Sequence, residues 1–175
     1  MIRTMFNMYV DADSLPRALR PIILKAASRT GGICVFVADR SLPDIASFIN
    51  TDTHEKRVAT GDRTVKSNVR MVVVKTGENS ADNTLVEMAQ NNSLCITHDI
   101  PLASRLLEKG CVVVDDRGSE YTKDNIKSLL TGREVNNTLR EAGIFSEQQK
   151  SRTSGNVKDF ADNLDRVLTR MLRLS

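Results

Sequence analysis

A chain of 175 residues with 40% hydrophobic and 27% charged side chains is long enough for one well-buried core, and its composition excludes a disordered, fibrous or disulfide-stapled protein. Its 25 basic and 22 acidic residues leave a net charge of +3, which permits a polyanionic partner without demanding one; with no Trp and 4% aromatic content, stacking platforms for bare bases are few. No apolar run approaches the ~20 residues of a membrane span, and "MIRTMFNMYV" lacks a signal peptide's apolar segment and cleavage site, so the expected setting is the cytoplasm, away from membranes.

The first element is the strand "MFNMYV", which runs into "DADSLP". Asp11 and Asp13 are two residues apart and in an extended chain share a face. At about 5 Å and an effective dielectric near 20, two such charges repel by roughly 3 kcal/mol, so a positive partner is expected there. The helical pattern "SLPRALRPIILKAASRT" follows, then the strand "GICVFVA" and the helix "LPDIASFIN". Residues 51–70, "TDTHEKRVATGDRTVKSNVR", carry few large apolar side chains and five basic against three acidic ones. They read as a long basic surface loop, either a tolerated insertion or an arm for phosphates.

The strand "RMVVVKT" leads to the helix "SADNTLVEMAQNN", with Asp82 in its first turn and Glu87 further along. "SLCITH" is the fourth strand; it delivers His98 and Asp99 to the start of the helix "DIPLASRLLEKG". The fifth strand, "GCVVVD", ends on Asp115 and Asp116, followed by Arg117 and by Lys123 behind the helix cap Thr122. Two short helices, "TKDNIKSLLTG" and "REVNNTLREAG", then a polar linker lead to "NVKDFADNLDRVLTRMLRLS", an amphipathic helix that packs back on the domain or pairs with a second copy as a homodimer. Cys34, Cys95 and Cys111 sit in apolar runs at irregular spacing, as buried thiols do. The fold class is therefore α/β: a doubly wound, mainly parallel five-stranded sheet flanked by helices, spanning residues 1–150, with a C-terminal helix over 151–175.

In such sheets ligands bind outside the carboxyl ends of the strands. Asp11, Asp13, Asp82 and Asp99 fall at that rim from separate parts of the chain, and convergent carboxylates are hard oxygen ligands suited to Mg²⁺ or Mn²⁺. Each has a structural alternative. Asp13 and Asp99 could cap helices and Asp82 could complement a helix dipole, whereas a strand end gives Asp11 no such role. His98 is a further possible ligand, and Glu87 reads as an exposed face residue. Arg117 and Lys123 could hold a substrate phosphate, or Arg117 could simply neutralise Asp115 and Asp116.

The blocks "VDADSLP", "SADNTLVEMA", "CITHDIPLASRLLEKG" and "DRGSEYTKDNI" resemble the YaiI/YqxD-type family of uncharacterised bacterial proteins, in order and spacing, from about Tyr9 to Ile144. The resemblance implies a relation to PIN-like nuclease domains: strand order 3-2-1-4-5 and an acidic cluster that binds divalent metal to cut RNA or related nucleic acid. Carried over by motif, the acids are Asp11, Asp82 and Asp99, with Asp13 auxiliary. Ser14-Leu15 in place of Ala-Cys, Asp115-Asp116 in place of Asn-Pro, the segment near Gly155 and the 51–70 insertion depart from the family pattern. The leading expectation is metal-dependent phosphodiester hydrolysis of RNA. Two alternatives stand: a haloacid-dehalogenase-like phosphatase with Asp11 as nucleophile and Asp13 as acid and base, and a non-catalytic nucleic-acid-binding domain.

Overall fold

The computed structural model describes residues 5–75, 77, 80–143 and 154–174. Parallel strands and helices alternate: β1 (Phe6–Asp11), α1 (Arg20–Thr30), β2 (Gly31–Ala38), α2 (Pro43–Thr60), β3 (Val69–Val73), α3 (Ser80–Met88), β4 (Leu94–Ile96), α4 (Ile100–Glu108) and β5 (Val112–Val114). A short strand β6 (Glu120–Tyr121) and the long helices α5 (Lys123–Glu141) and α6 (Ser154–Leu174) complete the chain. The sheet order is β3-β2-β1-β4-β5-β6, with β6 antiparallel to β5 and every other pairing parallel. The five expected strands thus gain a sixth at the edge, so the sheet is mixed. Two residues are too short to show a hydrophobic alternation, which is why the sequence pattern names no strand at Glu120–Tyr121.

Period-two alternation splits the core across the sheet. Met8, Val10, Cys34, Phe36, Leu94 and Ile96 face α1, α2 and α6, whereas Tyr9, Val35, Val37, Cys95 and Val113 face α3, α4 and α5. Both faces are covered, so the strands are nearly continuously apolar. The cysteines are buried and unpaired, and burial pushes the Cys34 thiol up to about 12. Phe160, Leu164, Val167, Leu168 and Met171 of α6 are buried in the first of these cores, so the face that a homodimer would use is spent on the sheet. Gly118, at φ +78°, lets the loop before β6 pass under α6: a Cβ there would lie 2.6 Å from that of Asn163.

Two segments differ from the expectations. Residues 51–60 are not loop; they continue α2, and only 61–68 connect it to β3. No Gly or Pro interrupts the chain between Pro43 and Gly61, Asp52 and Lys56 pair one turn apart at 2.9 Å, and Gly61 ends the helix in the left-handed conformation. Polar composition there marks a solvated helix end. Likewise "TKDNIKSLLTG" and "REVNNTLREAG" form one helix, α5, opened by a Thr122–Asn125 capping box and running through Gly132. An exposed helical Gly costs only ~1 kcal/mol, too little to break a helix of 19 residues.

Gly132 has open space around it, so Gly132→Ala should stabilise the protein in urea titrations by about 0.5–1 kcal/mol; a neutral or negative change would restore a break in the helix. Phe160→Ala should cost about 3–5 kcal/mol, and a loss below about 1 kcal/mol would detach α6 from the core.

Candidate active site: an acidic cleft at the strand ends

Because β1 lies between β2 and β4 in parallel register, with Asp11 opposite Val37 and Val10 opposite Ile96, all three chains leave the sheet at one rim. Asp11 is the last residue of β1, Asp39 follows β2, Lys75 lies just beyond β3, and Asp99 is three residues past β4. With Asp13, Ser14, Ser80 and Asp82 they line a cleft of about 360 Å³. Five carboxylates and one ammonium thus share a single concavity.

Asp11 is only 4% exposed. Its Oδ2 accepts a 2.7 Å hydrogen bond from the Thr97 hydroxyl, and Ser14 Oγ, within 3.4 Å of Thr97 Oγ1, accepts from the His98 amide. Burial raises the Asp11 carboxyl above the usual carboxylate range; the Thr97 and Ser14 hydroxyls oppose that, while the charges of Asp99 and Asp13 add to it. Asp13 is exposed and accepts the Asp39 amide at 2.7 Å, so its local duty is to pin the β1 and β2 exits together. Its carboxyl is also raised, by desolvation first and then by the Asp39 charge.

Asp82 projects from the first turn of α3. Burial, then the charges of Asp99 and Asp11, push its carboxyl up to about 6, with Arg105 opposing. Asp99 caps α4: its Oδ1 accepts the Leu102 amide at 3.1 Å, and Arg133 of α5 stands 3.7 Å away. The capping role read in the sequence is therefore present, alongside a place in the cleft.

The structure brings Asp11, Asp13, Asp82 and Asp99 to one cleft but leaves other candidates outside it. Arg117 and Lys123 are exposed and do not line it; the Arg117 amide, with that of Ser119, donates to Asp115. His98 Nδ1 lies 3.0 Å from Asp116, and Glu87 is exposed on α3. Asp115 and Asp116, the pair that the phosphatase alternative would draw on, do not line the cleft. Sequence reasoning missed Asp39, Lys75 and Thr97. The signal for Asp39 was present in "FVADR", an aspartate directly after an apolar strand, in the same relation as "YVDAD".

Among the described residues no three His, Cys, Asp or Glu side chains stand close enough to form a ready-made metal cage. The donor set is nonetheless all hard oxygen, and Mg²⁺ takes one or two direct carboxylates and keeps several waters, so wide spacing suits a hydrated ion. No helix among the described residues is long and apolar enough to cross a membrane.

Comparison with known proteins places these motifs. The sequence model described as "Uncharacterized BCR, YaiI/YqxD family" matches residues 57–170. The UPF0178 protein of Vibrio parahaemolyticus is 35% identical over 164 residues, covering 94% of this chain and 99% of its own. That of Vibrio vulnificus is 34% identical over 94% and 97%, and that of Yersinia pestis 32% over 93% and 94%. No solved structure matches the chain.

The raised Asp82 carboxyl fixes the sign of a pH effect. Its folded pKa near 6 lies above the unfolded value of 3.8, so the stability it contributes is complete below the unfolded pKa and is lost as pH rises through the folded one. Asp82→Asn removes that loss: its melting temperature should gain on wild type steadily between about pH 4 and 7. A difference that stays constant or narrows over that window would show that Asp82 does not feel the other acids.

Proposed function

The chain belongs to the YaiI/YqxD family, and from that premise we propose that it is a divalent-metal-dependent nuclease of PIN-like type, acting on RNA in the cytoplasm, with Mg²⁺ or Mn²⁺ held at the acidic cleft by Asp11, Asp82 and Asp99 and assisted by Asp13. One observation carries the reading: Asp11, Asp13, Asp82 and Asp99 converge from separate parts of the chain on one strand-end cleft, where burial and the neighbouring acids raise the Asp82 carboxyl, an excess of negative charge that a cation would relieve. The strand order 3-2-1-4-5 that a PIN-like domain implies is contained in the sheet, which agrees with it.

A divalent cation held there supplies the Lewis acidity that activates water and offsets charge on the departing oxygen. The chain's own residues do the rest. Asp11, locked by Thr97 at the end of β1, provides a fixed anchor, and Asp82 on the first turn of α3 adds a second carboxylate to the same cleft. Lys75, at the mouth of the same cleft, binds a non-bridging phosphate oxygen. No protein nucleophile is required, which fits a buried Asp11.

Incubation of a short fluorophore-quencher single-stranded RNA with the protein in millimolar Mn²⁺ should yield cleavage that EDTA abolishes. Asp11→Asn and Asp82→Asn should lower it by at least about 100-fold, while a small phosphate monoester stays intact. RNA that survives Mn²⁺, or variants as active as wild type, would overturn the assignment; monoester turnover lost in Asp11→Asn would turn it toward the phosphatase.

A further inference from the structure

Beside the sheet edge formed by β3, the α2 helix and the 61–68 connection enclose a second groove of about 690 Å³, distinct from the acidic cleft. Its lining includes apolar Ile49, Val69 and Met71 and basic Arg57, Lys66 and Arg70. All three cations are exposed, and among the described residues none forms an ion pair. Arg57 is positioned by its Nε, which donates to the Val65 carbonyl at 2.9 Å.

Of the carboxylates nearest in sequence, Asp52 is paired with Lys56 at 2.9 Å and accepts from the Ser67 hydroxyl, and Asp62 accepts from the amide and hydroxyl of Thr64 while keeping its charge within reach of Arg57. Among the described residues no carboxylate lines the groove itself, so its lining carries a positive excess. From Arg70 the chain follows β3 directly to Lys75 at the mouth of the acidic cleft, a path of five residues or about 17 Å.

We infer that this groove is a phosphate-binding track for single-stranded nucleic acid, with Arg57, Lys66 and Arg70 holding backbone phosphates so that the strand continues along β3 past Lys75 into the cleft. The inference rests on the nuclease reading for its direction and on the groove's own charge for its ligand. A lining of apolar and cationic residues suits sugar and phosphate, and the scarcity of aromatic side chains means that the track grips the backbone without reading bases.

Binding of a labelled oligouridylate, measured by fluorescence anisotropy in EDTA across a KCl series, tests the track separately from catalysis. Replacing Arg57, Lys66 and Arg70 by Gln should weaken binding at least tenfold. It should also make the slope of log affinity against log salt shallower by about 2, since each single-strand phosphate contact contributes about 0.7. A charge-matched control with Gln at Lys25, Lys127 and Lys158, which are exposed on α1, α5 and α6, should keep the wild-type slope. The single variants Lys66→Gln and Arg70→Gln, which leave the Arg57–Val65 bond intact, should each give part of the effect should the triple variant fold poorly. Equal slopes in groove and control variants overturn the track, as does tight binding of oligoglutamate where oligouridylate does not bind, which would assign the groove to an acidic peptide. Binding through the groove with no cleavage in Mn²⁺ upholds the track and removes the nuclease; cleavage with groove variants that bind like the control does the reverse.

Discussion

The burial of Asp11 is the constraint on which the site depends. A carboxylate at 4% exposure at the end of a central strand loses most of its hydration, and only neutral hydroxyls, Thr97 and Ser14, answer it from the protein side. Every buried side-chain polar atom among the described residues has a partner, so this is no packing fault. Hydrogen bonds satisfy the lone pairs but leave the charge. Asp82 and Asp99 add like charge across the same cleft, and the nearest compensation from the helices is Arg105 beside Asp82 and Arg133 at 3.7 Å from Asp99. The rim holds its acids in a state that added positive charge would relieve, and this is the charge that the proposed cation would supply.

The sheet topology explains how the acids come to share a cleft. With β1 flanked by β2 and β4 in parallel, strand ends far apart in the chain become neighbours, and Asp13 secures two of them by accepting the Asp39 amide. The crossovers place α3 and α4 so that Asp82 and Asp99 open their helices toward the same side. Asp99 serves two ends at once: it caps α4 through Leu102 and lines the cleft, so a substitution there mixes helix stability with site chemistry, whereas Asp82 makes no capping bond to another described residue and reports on the site more cleanly.

Much of this was legible in the sequence. Apolar runs closed by polar punctuation gave the parallel strands, and the acids singled out by position, Asp11, Asp13, Asp82 and Asp99, do meet at one cleft. What was not legible has physical causes. The end of α2 is amphipathic only over its first turns and is sustained beyond them by an Asp52–Lys56 pair and the absence of a breaker, neither of which apolar periodicity detects. β6 is too short to have a period, and Gly132 marks an expected break that an exposed helix tolerates. Asp39 and Lys75 join the cleft because of strand register and crossover geometry, and a linear reading of motifs does not weigh those. The same register turns the basic 51–70 segment from an expected loop into one wall of a groove on the β3 edge.

The central claim is that a divalent cation completes the charge balance of Asp11, Asp82 and Asp99. Crystals grown or soaked in millimolar Mn²⁺ and measured at the manganese absorption edge address it directly. The account predicts an anomalous peak inside the cleft, within coordination distance of an oxygen of Asp82 and of Asp11 or Asp99, directly or through ordered water. Manganese confined to lattice or outer-surface carboxylates, with none in the cleft, would contradict it.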